Sequence, residues 1–267
     1  AAFHTLQYRF EGQDLQLLKK GTSSAEKVTI AFWVKSAKTG QYTVELEDRD
    51  NSRSISQAYT ISSADTWEKK VLSFAGDTTG ALDNDTSESF RILFWLAAGS
   101  NYQSGTLNTS WAAQNNVNRA VGNVNLADST SNDWYITGLQ MEVGEFTSST
   151  IPDFQHEMFD DNLLRCHRYF INGTGDTSLN PTGHIATATT IQATPQMRRT
   201  MRVSPTLTAN ATTFIALVGG SGATTTLAFS NMGRNGFRYG LNTNQSGMTT
   251  SQNAAMAGTG ADFDSEL

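Results

Sequence analysis

The chain has one cysteine, Cys166, among 267 residues. That excludes an intrachain disulfide framework and a thiolate zinc cluster, so packing and hydrogen bonds must hold the core. A lone thiol suits assembly in a reducing cytoplasm. Charge is scarce too: 16% of residues are Asp, Glu, Lys or Arg, and the formal net charge is −6. This argues against nucleic acid, whose binding needs clustered Lys and Arg to displace counterions. All seven Lys lie at or before Lys70, and between Tyr169 and Ala261 the single acid, Asp176, faces five Arg. No apolar run approaches the ~18 residues of a membrane helix, so no membrane insertion is expected. No signal peptide is visible. The start at Ala1-Ala2-Phe3 reads as processed, or as an internal point of a longer polypeptide.

Ser, Thr, Asn and Gly are plentiful and Pro is scarce, a mixture that suits short strands joined by many turns. Two segments carry the clearest pattern. Val28-Thr-Ile-Ala-Phe-Trp-Val-Lys-Ser36 and Asn132-Asp-Trp-Tyr-Ile-Thr-Gly-Leu-Gln-Met-Glu-Val-Gly144 alternate, are dense in β-branched and aromatic residues, and end at turn formers. They read as the opening and closing strands of a β-sandwich. Further strands are expected at Leu6–Phe10, Tyr42–Glu47, Ser54–Ile61, Glu68–Phe74, Phe90–Leu96 and Ala120–Leu126. Lys38-Thr-Gly40, Asp48-Arg-Asp-Asn51, Gly76-Asp77, Asp83-Asn-Asp85 and Gly99-Ser-Asn101 supply the turns between them.

Helix signal is concentrated after Pro152. In the segment Glu157–Tyr169, Met158, Phe159, Leu163 and Cys166 recur at helical spacing, and acids precede bases as the helix dipole favours. A domain boundary is placed between residues 148 and 149. Beyond it, strands are expected at Ile185–Thr194, Thr206–Ala209, Phe214–Val218, Thr224–Ser230 and Gly236–Leu241, with loops at Gly219–Gly222 and Asn244–Gly260. The fold class is therefore all-β: a jelly-roll β-sandwich over residues 1–148, then a smaller, helix-led β domain over 149–267.

Candidate sites follow from residue type. Tyr102 and Trp111 lie in a long polar loop with Asn101 and other amides, which offers ring stacking plus paired donors and acceptors for a sugar; the alternative for Trp111 is that it plugs the loop onto the sandwich. Trp33 must face opposite Phe32 and Val34. It is expected to pack on the sheet, with a sugar-stacking platform as the alternative. Asp48, Asp50, Asp83 and Asp85 sit in oxygen-rich turns that suit a structural calcium, although neither turn has EF-hand spacing. Cys166 is expected in buried packing and His167 on a solvent or interface side. They are poorly placed as a dyad, because neighbouring helical residues diverge by roughly 100°. Acids fall in exposed turns, and no Gly-x-Ser-x-Gly, His-Glu-x-x-His or phosphate loop occurs, so no enzyme activity is expected. Arg198, Arg199 and Arg202 form the one basic cluster, read as solvated strand ends, with trimer-interface pairing or an acidic surface glycan as alternatives.

An ordered set of segments resembles a known class. Tyr59-Thr-Ile61, Trp67-Glu-Lys-Lys70, Gly99-Ser-Asn-Tyr102, Trp111, Gly122-Asn-Val-Asn-Leu126 and Gly138-Leu-Gln-Met-Glu-Val-Gly144 follow one another, then Leu164-Arg-Cys-His-Arg-Tyr169, Met197–Pro205 and Phe263-Asp-Ser-Glu-Leu267. The set is similar to the jelly-roll, carbohydrate-module-like domains of tail fibres and other surface proteins of tailed phages. In that class another strand usually precedes the one matching Leu6–Phe10, which implies a trimmed or partial chain here.

The resemblance implies a virion structural protein assembled in a bacterial host cytoplasm. The favoured expectation is a non-catalytic, tail-fibre-like appendage that contacts host surface glycan and other virion proteins. Such an appendage is expected to be homotrimeric through Met158, Phe159, Leu163 and Arg168. The alternatives are a capsid decoration or head-fibre protein without a receptor role, and a carbohydrate module of a secreted bacterial enzyme. No cofactor is expected beyond the calcium.

Overall fold

The computed structural model describes residues 3–171, 182–187, 190–193, 199–209, 214–218, 221–233, 236–243, 253–257 and 261–266, with side chains described in 3–171, 199–206 and 264–266. The chain forms two compact units, residues 1–155 and 156–266.

The first unit is an antiparallel β-sandwich. Its strands are β1 (Phe3–Glu11), β2 (Val28–Lys35), β3 (Gly40–Asp48), β4 (Arg53–Ile61), β5 (Glu68–Phe74), β6 (Glu88–Ala98), β7 (Ala112–Ala113) and β8 (Tyr135–Val143). One sheet runs β1-β6-β3-β4-β7 and the other β5-β2-β8. The chain passes repeatedly from one sheet to the other, the winding of a jelly roll.

Period-2 alternation decides which side chains meet. Ile30, Phe32 and Val34 of β2 point inward against Tyr42, Val44 and Leu46 of β3, Ile55 and Ile61 of β4, and Phe90, Ile92 and Phe94 of β6, all buried. Phe32 meets Tyr59 and Phe94 in T-shaped contacts, with ring centroids 5.2 and 5.1 Å apart. Such aromatic pairs add about 0.5–1.5 kcal/mol beyond area burial.

Two stretches depart from expectation. A 3-10 helix over Gly12–Leu18 buries Leu15 and Leu18, where no element was expected. The region expected as a strand at Ala120–Leu126 is instead turns followed by a 3-10 helix at Leu126–Asp128. Gly122 takes φ +81°, which breaks an extended run. Its apolar residues alternate because they plug separate sites: Ala120 packs on Leu93 and Trp95, Val124 and Leu126 on the sandwich core.

Residues 99–134, with α1 (Ser100–Gln103), cross the outer face of the large sheet. Arg119 reaches Glu45 from this segment at 2.9 Å and Glu47 at 3.2 Å. The stretch after β8 covers part of the small sheet's outer face. The Phe146 amide donates to Thr29 Oγ1, the Phe146 carbonyl accepts from Ser73 Oγ, and the Pro152 carbonyl accepts from Gln140.

The second unit contains α2 (Phe159–Cys166), β9 (Phe170–Ile171), β10 (Thr182–Thr187), β11 (Thr190–Ala193), β12 (Thr206–Ala209), β13 (Phe214–Val218), β14 (Ser221–Gly233), β15 (Gly236–Thr243), β16 (Asn253–Ala257) and β17 (Ala261–Asp264). Six strands close a barrel in the order β10-β11-β15-β14-β13-β16, and β12-β17-β9 form a separate sheet.

The single strand expected at Ile185–Thr194 is a hairpin, with Ile185 opposite Ile191; Thr194 lies outside the described residues. Of the two expected loops, Ser221-Gly222 opens β14 and Asn253–Ala257 forms β16. Their remaining residues, and Arg198 of the basic cluster, lie outside the described set. Three segments of the resemblance meet here. The Tyr169 carbonyl accepts from the Ser265 amide at 2.7 Å, and Arg202 donates to the carbonyls of Ser265 and Glu266.

Candidate functional site

The two aromatics expected to hold a sugar sit in different clusters of the first unit. Trp111 packs against the sandwich core, donates from Nε1 to the Ala75 carbonyl at 2.7 Å, and lies tilted on Phe90. A gap of about 20 Å³ beside it, lined also by Leu18, Leu46 and Phe90, has room for little more than one water. Tyr102 packs on Trp95 and Phe3, with ring centroids 5.3 and 5.0 Å away. Asn101 is exposed on α1. Both rings thus seat the 99–134 segment on the sandwich.

Of the carboxylates expected at calcium, Asp48 is buried and its oxygens meet the Lys20 ammonium and the Asn51 amide. Lys20 is itself buried, and its Nζ also lies 3.1 Å from Asp77, 3.0 Å from the Thr79 carbonyl and 2.8 Å from the Gly80 carbonyl. Arg53 clamps Asp77 from the other side with two nitrogens, and Trp111 roofs Lys20 with its ring centroid 5.3 Å from Nζ. Burial pushes the Asp77 carboxyl up, but Arg53 and Lys20 outweigh it and hold the group below its usual range.

An ammonium therefore stands inside an oxygen cage of the kind a hard cation prefers. The other three do not join that cage. Asp50 accepts the Asp83 amide, Asp85 accepts the Ser87 amide and hydroxyl, and all three are exposed. Among the described residues no three His, Cys, Asp or Glu side chains converge as metal ligands. The residues present do not fit a calcium ion.

Glu45 and Glu47 lie two apart on the outward face of β3, the spacing that could bring paired carboxylates together. Both are buried beneath residues 99–134. Glu45 accepts from Arg119 Nε at 2.9 Å and from Trp95 Nε1 at 2.8 Å. Burial pushes its carboxyl up against those attractions. Glu47 accepts from Arg119, Gln114 and Arg49, which overcome burial and hold it low. These carboxylates meet fixed donors and no open cleft, so their chemistry is structural.

The open chemistry is on the outer face of the small sheet. Trp33 and Trp67 are each 43% exposed and Tyr135 is 48% exposed. Trp33 had been expected opposite Phe32 and Val34, in core or half-buried packing on the sheet; alternation does turn it outward, with its ring partly packed on the sheet, while Phe32 and Val34 are wholly buried. Register fixes its neighbours. Trp33 stands opposite Lys69 on one side and Thr137 on the other, and Lys35 stands opposite Tyr135. Trp67 precedes β5 by one residue and completes the Lys35 row. Lys35 Nζ lies 4.7 Å from the Tyr135 ring centroid and 5.7 Å from that of Trp67.

On the Ala31 side of the Trp33 row β8 carries a bulge, with Gly138 at φ +59°. A Cβ at Gly138 would lie in ordinary contact with the Trp33 ring, 3.4 Å away, and Phe154, 4.0 Å away, so it is the left-handed backbone of the bulge that calls for glycine here. The result is a chequered face of three aromatic rings, two ammoniums and a hydroxyl.

No family model and no curated protein matches this chain. The local geometry therefore carries the functional reading. The alternation of β2 and of the Glu68–Phe74 strand was the available signal for this face. Reading Trp33, Trp67 and Tyr135 together needed the strand order β5-β2-β8, which no single segment contains.

In the second unit, Met158, Phe159 and Leu163 are 76%, 77% and 38% exposed, and Arg168 is partly buried. Cys166 is exposed and His167 buried, the reverse of what was expected. The short helix ends at Cys166, so His167 turns inward at its C-cap and donates its amide to the Leu163 carbonyl. Among the described residues no helix is long and apolar enough to cross a membrane.

Proposed function

We propose that this chain is a non-catalytic, glycan-contacting module of a tailed-phage virion appendage. The carrying observation is the outward row of Trp33, Trp67 and Tyr135 on the β5-β2-β8 sheet. Flat rings held on a rigid sheet match the apolar face of a pyranose, and Thr137 beside Trp33 offers a hydroxyl to a sugar. The burial and pairing of Glu45 and Glu47 support a role without hydrolysis. The virion setting rests on the ordered sequence resemblance, whose second-unit segments lie together around Tyr169, Arg202 and Ser265. A homotrimer fits the exposed Met158, Phe159 and Leu163, which neighbouring copies would cover.

The test is adsorption to host cells or their extracted surface polysaccharide. Trp33→Ala and Tyr135→Ala weaken binding by tenfold or more and leave the melting temperature nearly unchanged. Unchanged binding in both variants overturns the assignment of this face.

A further inference from the structure

Resting on that reading of the aromatic face, we infer that its ligand is an acidic saccharide, one bearing carboxylate, sulfate or phosphate groups. The inference comes from which charges on the face remain uncommitted. Lys35 and Lys69 flank Trp33 on the outward side of β2 and β5. Neither makes an ion pair with a carboxylate among the described residues, whereas nearby Lys70 is paired to Glu68 at 2.6 Å. Glu68, the acid closest in sequence, is further saturated by the amides of Ser62 and Ser63.

Lys35 is held upright between the Trp67 and Tyr135 rings, so its ammonium is placed without being neutralised. Lys69 is exposed at the far side of Trp33. Two positions for an anion therefore border one stacking ring, on a chain whose net charge is −6. A diffuse attraction to polyanions is not available to such a chain, so affinity for one has to come from a local arrangement. A neutral sugar would leave both ammoniums unused.

The test uses the full chain and three acidic polymers: polygalacturonate, colominic acid and dextran sulfate. Methyl-esterified polygalacturonate and dextran serve as charge-free counterparts. Affinity electrophoresis at low and physiological salt reads the binding. The expected result is retardation by at least one acidic polymer and by neither neutral one. Lys35→Gln and Lys69→Gln should each weaken it about three- to fivefold, and salt should weaken it further. Trp33→Ala should abolish it. Lys27→Gln, which removes an equal charge elsewhere on the same unit, should leave it unchanged.

Equal binding of neutral and acidic forms, lost in Trp33→Ala but kept in both Lys variants, overturns the acidic ligand and leaves the glycan face standing. Binding to none of the five polymers overturns both. Acid-selective binding that survives Trp33→Ala and both Lys variants places the anion site elsewhere and also overturns the inference.

Discussion

Trp95, Trp111 and Trp134 are held by the sandwich, while Trp33 and Trp67 keep much of their rings in solvent. That division predicts opposite outcomes for one substitution. Trp111→Ala should cost about 3–5 kcal/mol in chemical denaturation, because it opens a cavity beside Phe90 and uncovers Lys20. Trp33→Ala should cost about 1 kcal/mol or less, since its ring is only partly packed. Lys20 is the sharper case. Lys20→Met would leave Asp48 and Asp77 buried beside an apolar stem, a loss of about 3–5 kcal/mol when one member of a buried pair is removed. Because the ammonium fills that cage, chelators should not shift the wild-type melting temperature; a drop in EDTA restored by calcium would refute the cage as described.

Acid acts on Asp77 of that cage and on Glu47. Asp77 and Glu47 titrate below their ordinary values of 3.8 and 4.5 in the fold. A carboxylate lowered on folding contributes stability above its unfolded value and loses it as pH falls through the folded one. Glu45, raised by burial, works in the opposite sense and weakens the acid dependence. Melting temperature should therefore decline below about pH 4.5, and the decline should flatten in Lys20→Met, where Asp77 has lost one of its cations.

At the scale of elements, strands with strong apolar contrast were legible and segments with another reason for their apolar residues were not. β2, β3, β4, β5 and β6 lie where alternation placed them, because one face of each meets a dry core. The misread segment, 120–126, alternates to the eye but serves as two separate plugs with a left-handed glycine between them. The outer polar residues of β3 carried a hidden signal. A strand with Glu45 and Glu47 on its non-core face looks solvated, yet both are buried, because residues 99–134 return over the sheet. Arg119, a partner far along the chain, bridges both carboxylates and helps make that burial tolerable. Arg119→Ala should accordingly loosen that segment before it unfolds the sandwich. Amide exchange in 99–128 should rise at least tenfold while β2 and β3 stay protected; uniform exchange across the unit would show that the segment is part of the core's cooperative fold.

The whole molecule was legible as all-β, and the closed barrel was not. Barrel strands such as Asn253–Ala257 and Ser221–Gly233 are built from Ala, Ser, Thr, Gly and Asn, which give little period-2 contrast. Closure is decided by β16 pairing with both β10 and β13, strands far apart in sequence, so no local window contains it. The candidate face is non-local in the same way, since its three rings come from two of the three strands and the turn before the third. The sandwich, in contrast, draws its core, among the described residues, from side chains before 156. A fragment of residues 1–155 should therefore fold alone, with a single cooperative unfolding transition and the aromatic near-ultraviolet signal of a fixed core. It should also be monomeric, since Met158, Phe159 and Leu163 are absent from it, while the full chain should scatter as about three times 29.0 kDa. A trimeric fragment would move the subunit contact onto the sandwich and away from α2. A monomeric full chain at micromolar concentration would remove the homotrimer altogether and leave the aromatic face to act at single-site affinity.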